Sequence, residues 1–283
     1  MKKIAIITGA SSGMGKEFVV QADKRYALDE IWVVARREDR LVALQQEVTS
    51  KIVPLALDLT DPQSLEIITT KLKVENPDVK ILVNASGFGK FGEFYESDIY
   101  QNANMCDLNL KSLIIMTNIV LPYINEGGKI LQVGSLSSFE PVPHLSVYAA
   151  TKAGVLSFTR ALNHELKKRK IKALCVCPYW VKTEFFSRAN EKEKIGKFDI
   201  LYEPEFVVKV AYKTLDKSKK DYVVPGKYAK LICFLSKIIS HKLMMKIMDK
   251  MFKYEKNDWF KFNSKKSNNR RSVVGRKGQY VLT

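Results

Sequence analysis

Lys3-Ile4-Ala5-Ile6-Ile7-Thr8-Gly9-Ala10-Ser11-Ser12-Gly13-Met14-Gly15 is the stretch on which the reading of this chain turns. Its first six residues form a short continuous apolar run, the pattern of a strand buried on both faces. The run empties directly into a turn with three glycines, and a helical pattern follows to about Ala27. Strand, glycine turn and helix in this order suit a phosphate. Glycines let the backbone approach a pyrophosphate closely, and a helix N-terminus presents free N–H groups with positive dipole. The competing reading is a structural strand-to-helix turn that binds nothing.

The alternation continues along the chain. Strands are expected at Ile31–Ala35, Ile52–Leu57, Lys80–Val83, Lys129–Val133, Lys172–Cys177 and Tyr222–Val224. Between them lie helical patterns from Glu38 to Val48, from Pro62 to about Val74, and a long one from Asp98 to Leu121. Further helices run from about Ser146 to Lys168 and onward from Pro204. Pro62 suits a first helical turn. Strands alternating with helices at this rhythm imply a doubly wound parallel sheet of about seven strands, covered by helices on both faces. No repeat or interdomain linker interrupts it before Pro225-Gly226, so residues 1–226 read as one α/β catalytic domain.

Length and composition are consistent with that layout. A chain of 283 residues is long enough to bury a full core. Cys106, Cys175, Cys177 and Cys233 fit no disulfide framework, which makes the cytoplasm the expected compartment. Cys175 and Cys177 alternate along an apolar run and lack partner ligands nearby, so they read as buried thiols, and no metal is expected. The apolar run after Met1-Lys2-Lys3 is too short for a signal peptide, and no uninterrupted run approaches the ~20 residues of a spanning helix. His144, His164 and His241 are scattered without ligand spacing; His144 is the one expected at a pocket rim.

Tyr148-Ala149-Ala150-Thr151-Lys152 carries the chemistry. Four positions apart on a helix, phenol and ammonium flank one small volume. A free phenol titrates near pH ~10 and is a poor acid at neutrality. A cation beside it is expected to lower that pKa toward the range useful for proton transfer.

Thr8 to Gly15, then Asn84-Ala85-Ser86-Gly87, Asn109, Ser135, Tyr148 and Lys152 together resemble a classical short-chain dehydrogenase/reductase over residues 1 to about 226. The resemblance implies a Rossmann-type fold and hydride transfer between a nicotinamide and a carbonyl or secondary alcohol. Tyr148 would be the proton donor or acceptor, with Lys152 lowering its pKa and holding the nicotinamide ribose. Ser135 would hydrogen-bond the substrate oxygen, with Ser137 and Ser138 competing for that role. Asn109 would position a water linking Lys152 to a proton relay. Around the cofactor it places Gly9, Ser11, Ser12, Gly13, Met14 and Gly15, then Asp58 and Leu59, then Asn84, Ala85 and Ser86. Pro178, Val181 and Thr183 follow on the carboxamide side. It also implies a homodimer or homotetramer through the long Asp98 and Ser146 helices.

Two departures stand out. The usual Asn-Asn-Ala-Gly reads Asn84-Ala85-Ser86-Gly87, losing an amide that anchors the strand end. The usual Pro-Gly reads Pro178-Tyr179, which costs backbone freedom and reshapes the pocket floor. Cofactor choice turns on the end of the second strand. There the sequence gives Ala35-Arg36-Arg37 with no carboxylate before Glu38, and an Arg fork suits a 2′-phosphate. NADP(H) is expected over NAD(H), with Arg36 the better candidate; the competing reading is a pair of solvated cations at a helix start. The segment from Glu184 to Tyr202 is expected to close over the substrate. Phe185 and Phe186, with Phe88, Phe91 and Phe94, would form a wall for an apolar carbonyl compound or alcohol.

The net charge of +17 is concentrated at the end of the chain. From Lys227 onward 15 Lys/Arg oppose 3 acidic residues, leaving +12 there and +5 in the body. Residues 227–256 read as a basic amphipathic helix, with Leu231, Leu235, Ile238 and Ile239, then Met244, Met248, Met251 and Phe252, on its apolar side. Such a helix can lie on an anionic membrane, enter a partner's groove, or pack on its own domain. Residues 257–283 read as a flexible basic tail, and no nucleic-acid reading module accompanies the charge. A noncatalytic dinucleotide-binding sensor or scaffold acting through this tail is the alternative function.

Overall fold

In the computed structural model, which describes residues 1–185, 189 and 200–251, seven strands form one parallel sheet in the order β3-β2-β1-β4-β5-β6-β7. The strands are β1 Lys3–Thr8, β2 Glu30–Ala35, β3 Lys51–Ala56, β4 Asp78–Asn84, β5 Lys129–Val133, β6 Lys172–Val176 and β7 Tyr222–Val223. Between them run α1 Gly13–Arg25, α2 Glu38–Ala43, α3 Pro62–Glu75, α4 Ile99–Cys106, α5 Ser112–Val120, α6 Ser146–Glu165 and α7 Pro204–Lys217.

The unbroken apolar strands are explained by what covers each face. Along β1, Ala5 and Ile7 pack into one core cluster with Phe18 and Val19 of α1 and Val207 and Tyr212 of α7. Ile4 and Ile6 point the other way, toward Ile68 and Leu72 of α3 and Met116 and Val120 of α5. In β2, Ile31 and Val33 repeat the first direction, Trp32 and Val34 the second. With period 2 and both faces covered, no position on these strands can be polar without burial cost.

Strand order reverses between β1 and β4, and the crevice at that switch point lies outside the strands' carboxyl ends. Thr8 and Asn84 end their strands in register there, beside Gln132 one residue before the end of β5. The Thr8 hydroxyl accepts the amides of Ala85 and Ser86 at 3.0 and 3.1 Å. Thr117 Oγ1 receives the Asn84 and Gln132 side-chain amides at 3.1 and 2.9 Å. These two threonines do the anchoring that Asn84-Ala85 left in question.

Several expectations need correcting. The helix expected over Glu38–Val48 stops at Ala43 and tightens into a 3₁₀ turn at Leu44–Gln46. The long helix from Asp98 is interrupted by a π-helical turn at Asp107–Lys111, centred on Asn109. Ile99–Tyr123 is long and apolar enough to cross a membrane by length and composition. It nevertheless carries Asp107 and Lys111 midway and buries Met105, Leu113, Met116 and Val120 in the core.

The single helix expected over 227–256 is two within the described residues, α8 Lys227–Ile238 and α9 His241–Met251, broken at Ile239-Ser240. The inward face of α8 is Ala229, Cys233 and Ser236, not the Leu231 and Ile238 stripe, which faces outward. Ala229 and Cys233 pack in one cluster with Cys175, Cys177 and Val224, and the larger Leu231 and Phe234 are left outside. Phe252 and the tail lie outside the described residues, as does most of the segment expected to close over the substrate.

Candidate active site

The turn after β1 has to be glycine where it is tightest. Gly9 sits at φ +68°, and a Cβ there would meet the Ala85 carbonyl and the Ser86 amide at 2.8 Å. A Cβ on Gly15 would meet the Gly9 carbonyl at 2.0 Å. Removing both side chains lets α1 begin flush against the turn. Ser12 at its N-cap makes no capping bond, so the first amides of α1 face outward at the crevice. This backbone cradle fits a dinucleotide pyrophosphate.

Arg37 spans the turn, donating to Ser11 and Ser12 hydroxyls at 3.0 and 2.9 Å and to Glu184 at 2.9 Å. Arg40 joins the same carboxylate, and the hydrogen bonds from these arginines hold the Glu184 carboxyl down to about 2. Arg36 projects into solvent, 3.7 Å from Asp58, whose other oxygen accepts from Thr60. Leu59 is buried in the core, so it faces the crevice only through its backbone. Met14, Ala85, Pro178, Val181 and Thr183 all border one cavity of about 190 Å³.

That cavity also reaches Ser135, Tyr148 and Lys152. Ser135 follows β5 and caps the short 3₁₀ turn Leu136–Ser138. Ser138 is drawn away from the cavity, donating to the Lys152 carbonyl at 2.8 Å, which removes it as a rival to Ser135. Tyr148 and Lys152 share one face of α6, with Lys152 Nζ 5.6 Å from the Tyr148 ring centre. Lys152 donates to the Val133 carbonyl at 2.7 Å.

The expected acidification of Tyr148 is overturned. Burial pushes its phenol up to about 12, only partly opposed by its hydrogen bond with Ser135. Burial likewise lowers the Lys152 ammonium to about 8. Both groups occupy one desolvated volume, and burial dominates both shifts. At neutral pH Tyr148 therefore holds its proton firmly and Lys152 is mostly cationic.

Asn109 is fully buried, and its amide is committed. It accepts from the Phe88 amide at 2.9 Å and donates to the Phe88 carbonyl at 2.8 Å and to Thr151 at 3.2 Å. The π turn brings it to the Gly87-Phe88 loop, where a Gly87 Cβ would lie 2.9 Å from Asn109 Oδ1 and 3.4 Å from Lys152 Nζ. Ser86 precedes this loop and is held by Thr8.

The apolar wall is only partly the one expected. Phe185 packs on Tyr148 with ring centres 5.6 Å apart, and Phe91 meets Trp180 at 6.1 Å. Phe94 is 65% exposed and Phe88 does not border the cavity; Phe186 lies outside the described residues. Tyr179, standing where the glycine was expected, meets Trp180 at 5.8 Å and Tyr228 of α8 at 5.5 Å. Ile232, Met244, Ile247 and Met248 complete the roof, so the C-terminal helices are part of the pocket. His144 lies 3.5 Å from Glu93 and 3.4 Å from Asp249, joining α9 to the site.

The family model for short chain dehydrogenases matches residues 3–194. The chain belongs to the short-chain dehydrogenase family. An NADP-dependent 3-hydroxy acid dehydrogenase of Schizosaccharomyces pombe is 33% identical over 190 residues, covering 65% of this chain and 73% of its own. A very-long-chain 3-oxoacyl-CoA reductase of Bos taurus is 31% identical over 221 residues, 75% of this chain and 68% of its own. Among solved structures, a Sphingobium yanoikuyae short-chain dehydrogenase with NADPH has a TM-score of 0.72 at 23% identity, covering 99% of this chain and all of its own. A Burkholderia phymatum member with NAD has a TM-score of 0.71 at 18% identity, covering 83% and 92%. This short-chain dehydrogenase is an NAD(P)-dependent oxidoreductase, and the noncatalytic alternative finds no support among these relatives.

Sequence reasoning missed the roof formed by α8 and α9, the Arg37–Glu184–Arg40 group, and Glu140 on the cavity wall. The last had a signal: a lone acid inside Phe139-Glu140-Pro141-Val142-Pro143.

Proposed function

We propose that the protein is an NADPH-preferring reductase of apolar carbonyl compounds, running also toward alcohol oxidation, with Tyr148 as the proton donor. The observation that carries it is the convergence of Ser135, Tyr148 and Lys152 on one apolar cavity beside the glycine turn. When bound, the nicotinamide supplies the hydride or accepts it. The chain's residues serve the oxygen. Ser135 and Tyr148 both donate to it as negative charge develops, and Tyr148 Oη then releases its proton there. Lys152, anchored on the Val133 carbonyl and still mostly cationic at neutral pH, stabilises the phenolate left behind. Asn109 is a positioning residue that holds the Gly87-Phe88 loop beside this lysine.

The preference for NADPH rests on Arg36 and on the Arg37–Ser11 pair, which offer two guanidinium groups and a hydroxyl at one end of the turn. NADPH oxidation with a panel of aldehydes and ketones, wild type beside Tyr148→Phe, tests the reading. Undiminished turnover in the variant removes Tyr148 from the mechanism.

A second reading concerns the outer face of the roof. Leu231, Phe234, Ile238 and Leu243 are each more than half exposed, among Lys227, Lys230, Lys242 and Lys246. Apolar side chains ringed by lysines match an anionic bilayer surface. The protein is thus a cytoplasmic enzyme that docks peripherally, with its pocket roof against the lipid. Co-sedimentation with phosphatidylserine vesicles should fall for Leu231→Asn/Phe234→Asn; equal pelleting of both proteins ends this reading. Self-association through α4–α5 and α6 completes the assembly we expect, and equilibrium sedimentation as a monomer would refute it.

A further inference from the structure

We propose that Glu140 selects the substrate: the pocket takes an apolar carbonyl compound that also carries a hydrogen-bond donor, hydroxyl or ammonium, seated on this carboxylate. The inference rests on the carbonyl-reductase reading and specifies the substrate within it. Glu140 lies five residues beyond Ser135 on the wall of the same cavity and is 5% exposed. Its Oε2 is fully buried and has no hydrogen-bond partner among the described residues. Lys237 is committed to the Tyr222 hydroxyl at 3.1 Å and lies over the Phe139 and Tyr222 rings, and Lys152 on the same cavity is held by the Val133 carbonyl. Burial alone raises the Glu140 carboxyl to about 7, with no neighbouring cation opposing it.

An unpaired buried polar group costs about 1–3 kcal/mol, and more when charged. Such a group in a closed core would be a defect. Glu140 borders the cavity that also holds the reacting Ser135 and Tyr148, and rotation of its carboxylate toward that space would satisfy Oε2 with a ligand donor. Ser137 Oγ is likewise buried and unpaired on this wall, so the polar demand is not a single stray atom. Tyr179 and Tyr228 border the cavity too, and aromatic faces beside a carboxylate accommodate a cationic or a hydroxylated group equally. Above about pH 7, where Glu140 is ionised, a ligand anion would meet it as a like charge, so acidic carbonyl compounds should be the poorest fit there.

The test measures binding by calorimetry and turnover by NADPH oxidation separately. The probes are 4-phenylbutan-2-one and its ring para-hydroxy, para-aminomethyl and para-carboxy derivatives, with wild type, Glu140→Leu and Glu140→Gln. Wild type should bind at least one donor-bearing probe roughly tenfold tighter than the plain ketone, and the carboxy probe weakest. Glu140→Leu should abolish the donor preference. Glu140→Gln, which keeps an acceptor but not the charge, should retain the hydroxyl preference and lose the ammonium one, identifying the donor. Equal wild-type affinities, tightest binding of the carboxy probe, or a donor preference that survives in both variants overturns the proposal. Donor-selective binding without NADPH oxidation would instead leave Glu140's role intact and refute the reductase reading.

Discussion

Replacing Asn109 with Leu removes three hydrogen bonds while leaving the volume nearly filled, so the loss reports on the bonds and not on a cavity. A neutral hydrogen bond contributes about 1 kcal/mol net, and the Phe88 amide and carbonyl would be left without their partner in a partly buried loop. Three such bonds give about 3 kcal/mol. For a chain of this size each kcal/mol shifts Tm by roughly 2–4 °C, so Tm should fall by about 6–12 °C. The Gly87-Phe88 loop, released beside Lys152, should also raise the KM for NADPH. Thermal unfolding followed by circular dichroism, with steady-state kinetics on the same preparation, reads both. A residue acting solely through a water relay would lower kcat and leave Tm within about 2 °C of wild type. That result would refute the positioning argument.

Tyr148→Phe should lower kcat by roughly 10²-fold or more with NADPH affinity retained, because the proton donor is lost and the ring still fills its place; stopped-flow turnover checks it. The kcat/KM for NADPH reports the free enzyme, in which Lys152 loses its charge above about 8. It should be flat from pH 6 to 7 and decline as pH rises through that value, whereas an unshifted lysine would hold it flat to about 10. Arg37→Ala should raise the NADPH KM about 10-fold or more and change the NADH KM much less, since a 2′-phosphate is the cofactor group that pairs with the guanidinium; equal effects on both cofactors would count against the preference. Ser138→Ala should destabilise the fold by about 1 kcal/mol, read in urea unfolding, without changing kcat, as its hydroxyl is bonded to the Lys152 carbonyl.

The parallel sheet was legible because both faces of its central strands are buried, so β1, β2 and β6 are written as apolar runs, with glycines at the turn after β1 and just before β5. Tyr148 and Lys152 were legible because helical spacing alone puts them on one face. What spacing cannot give is the dielectric around them. Desolvation reverses the expected shift of Tyr148, and burial depends on Leu136, Phe185 and the whole roof, which come from distant parts of the chain. Asn109 was found by likeness, but its π turn was not, since one inserted residue leaves the helical pattern nearly unchanged. For the tail, hydrophobicity left open which side of the helix faces the body; the structure buries Ala229, Cys233 and Ser236 and leaves Leu231 and Ile238 outside.

That choice links the C-terminal helices to the chemistry. Their inner residues Tyr228, Ile232, Met244 and Met248 wall the cavity, and their outer residues are the exposed Leu231, Phe234 and Leu243. One pair of helices therefore lines the cavity on one side and, among the described residues, exposes apolar side chains on the other. Any surface that binds the outer side must bear on the pocket through a layer one helix thick. The Tyr179–Tyr228 contact and the His144–Asp249 approach are two of the places where that layer is fastened to the body. Tyr228→Ala loosens the first fastening, so it should raise the KM for an apolar ketone several-fold while leaving the KM for NADPH unchanged. Unequal loss in the opposite sense would place the roof over the cofactor instead of the substrate.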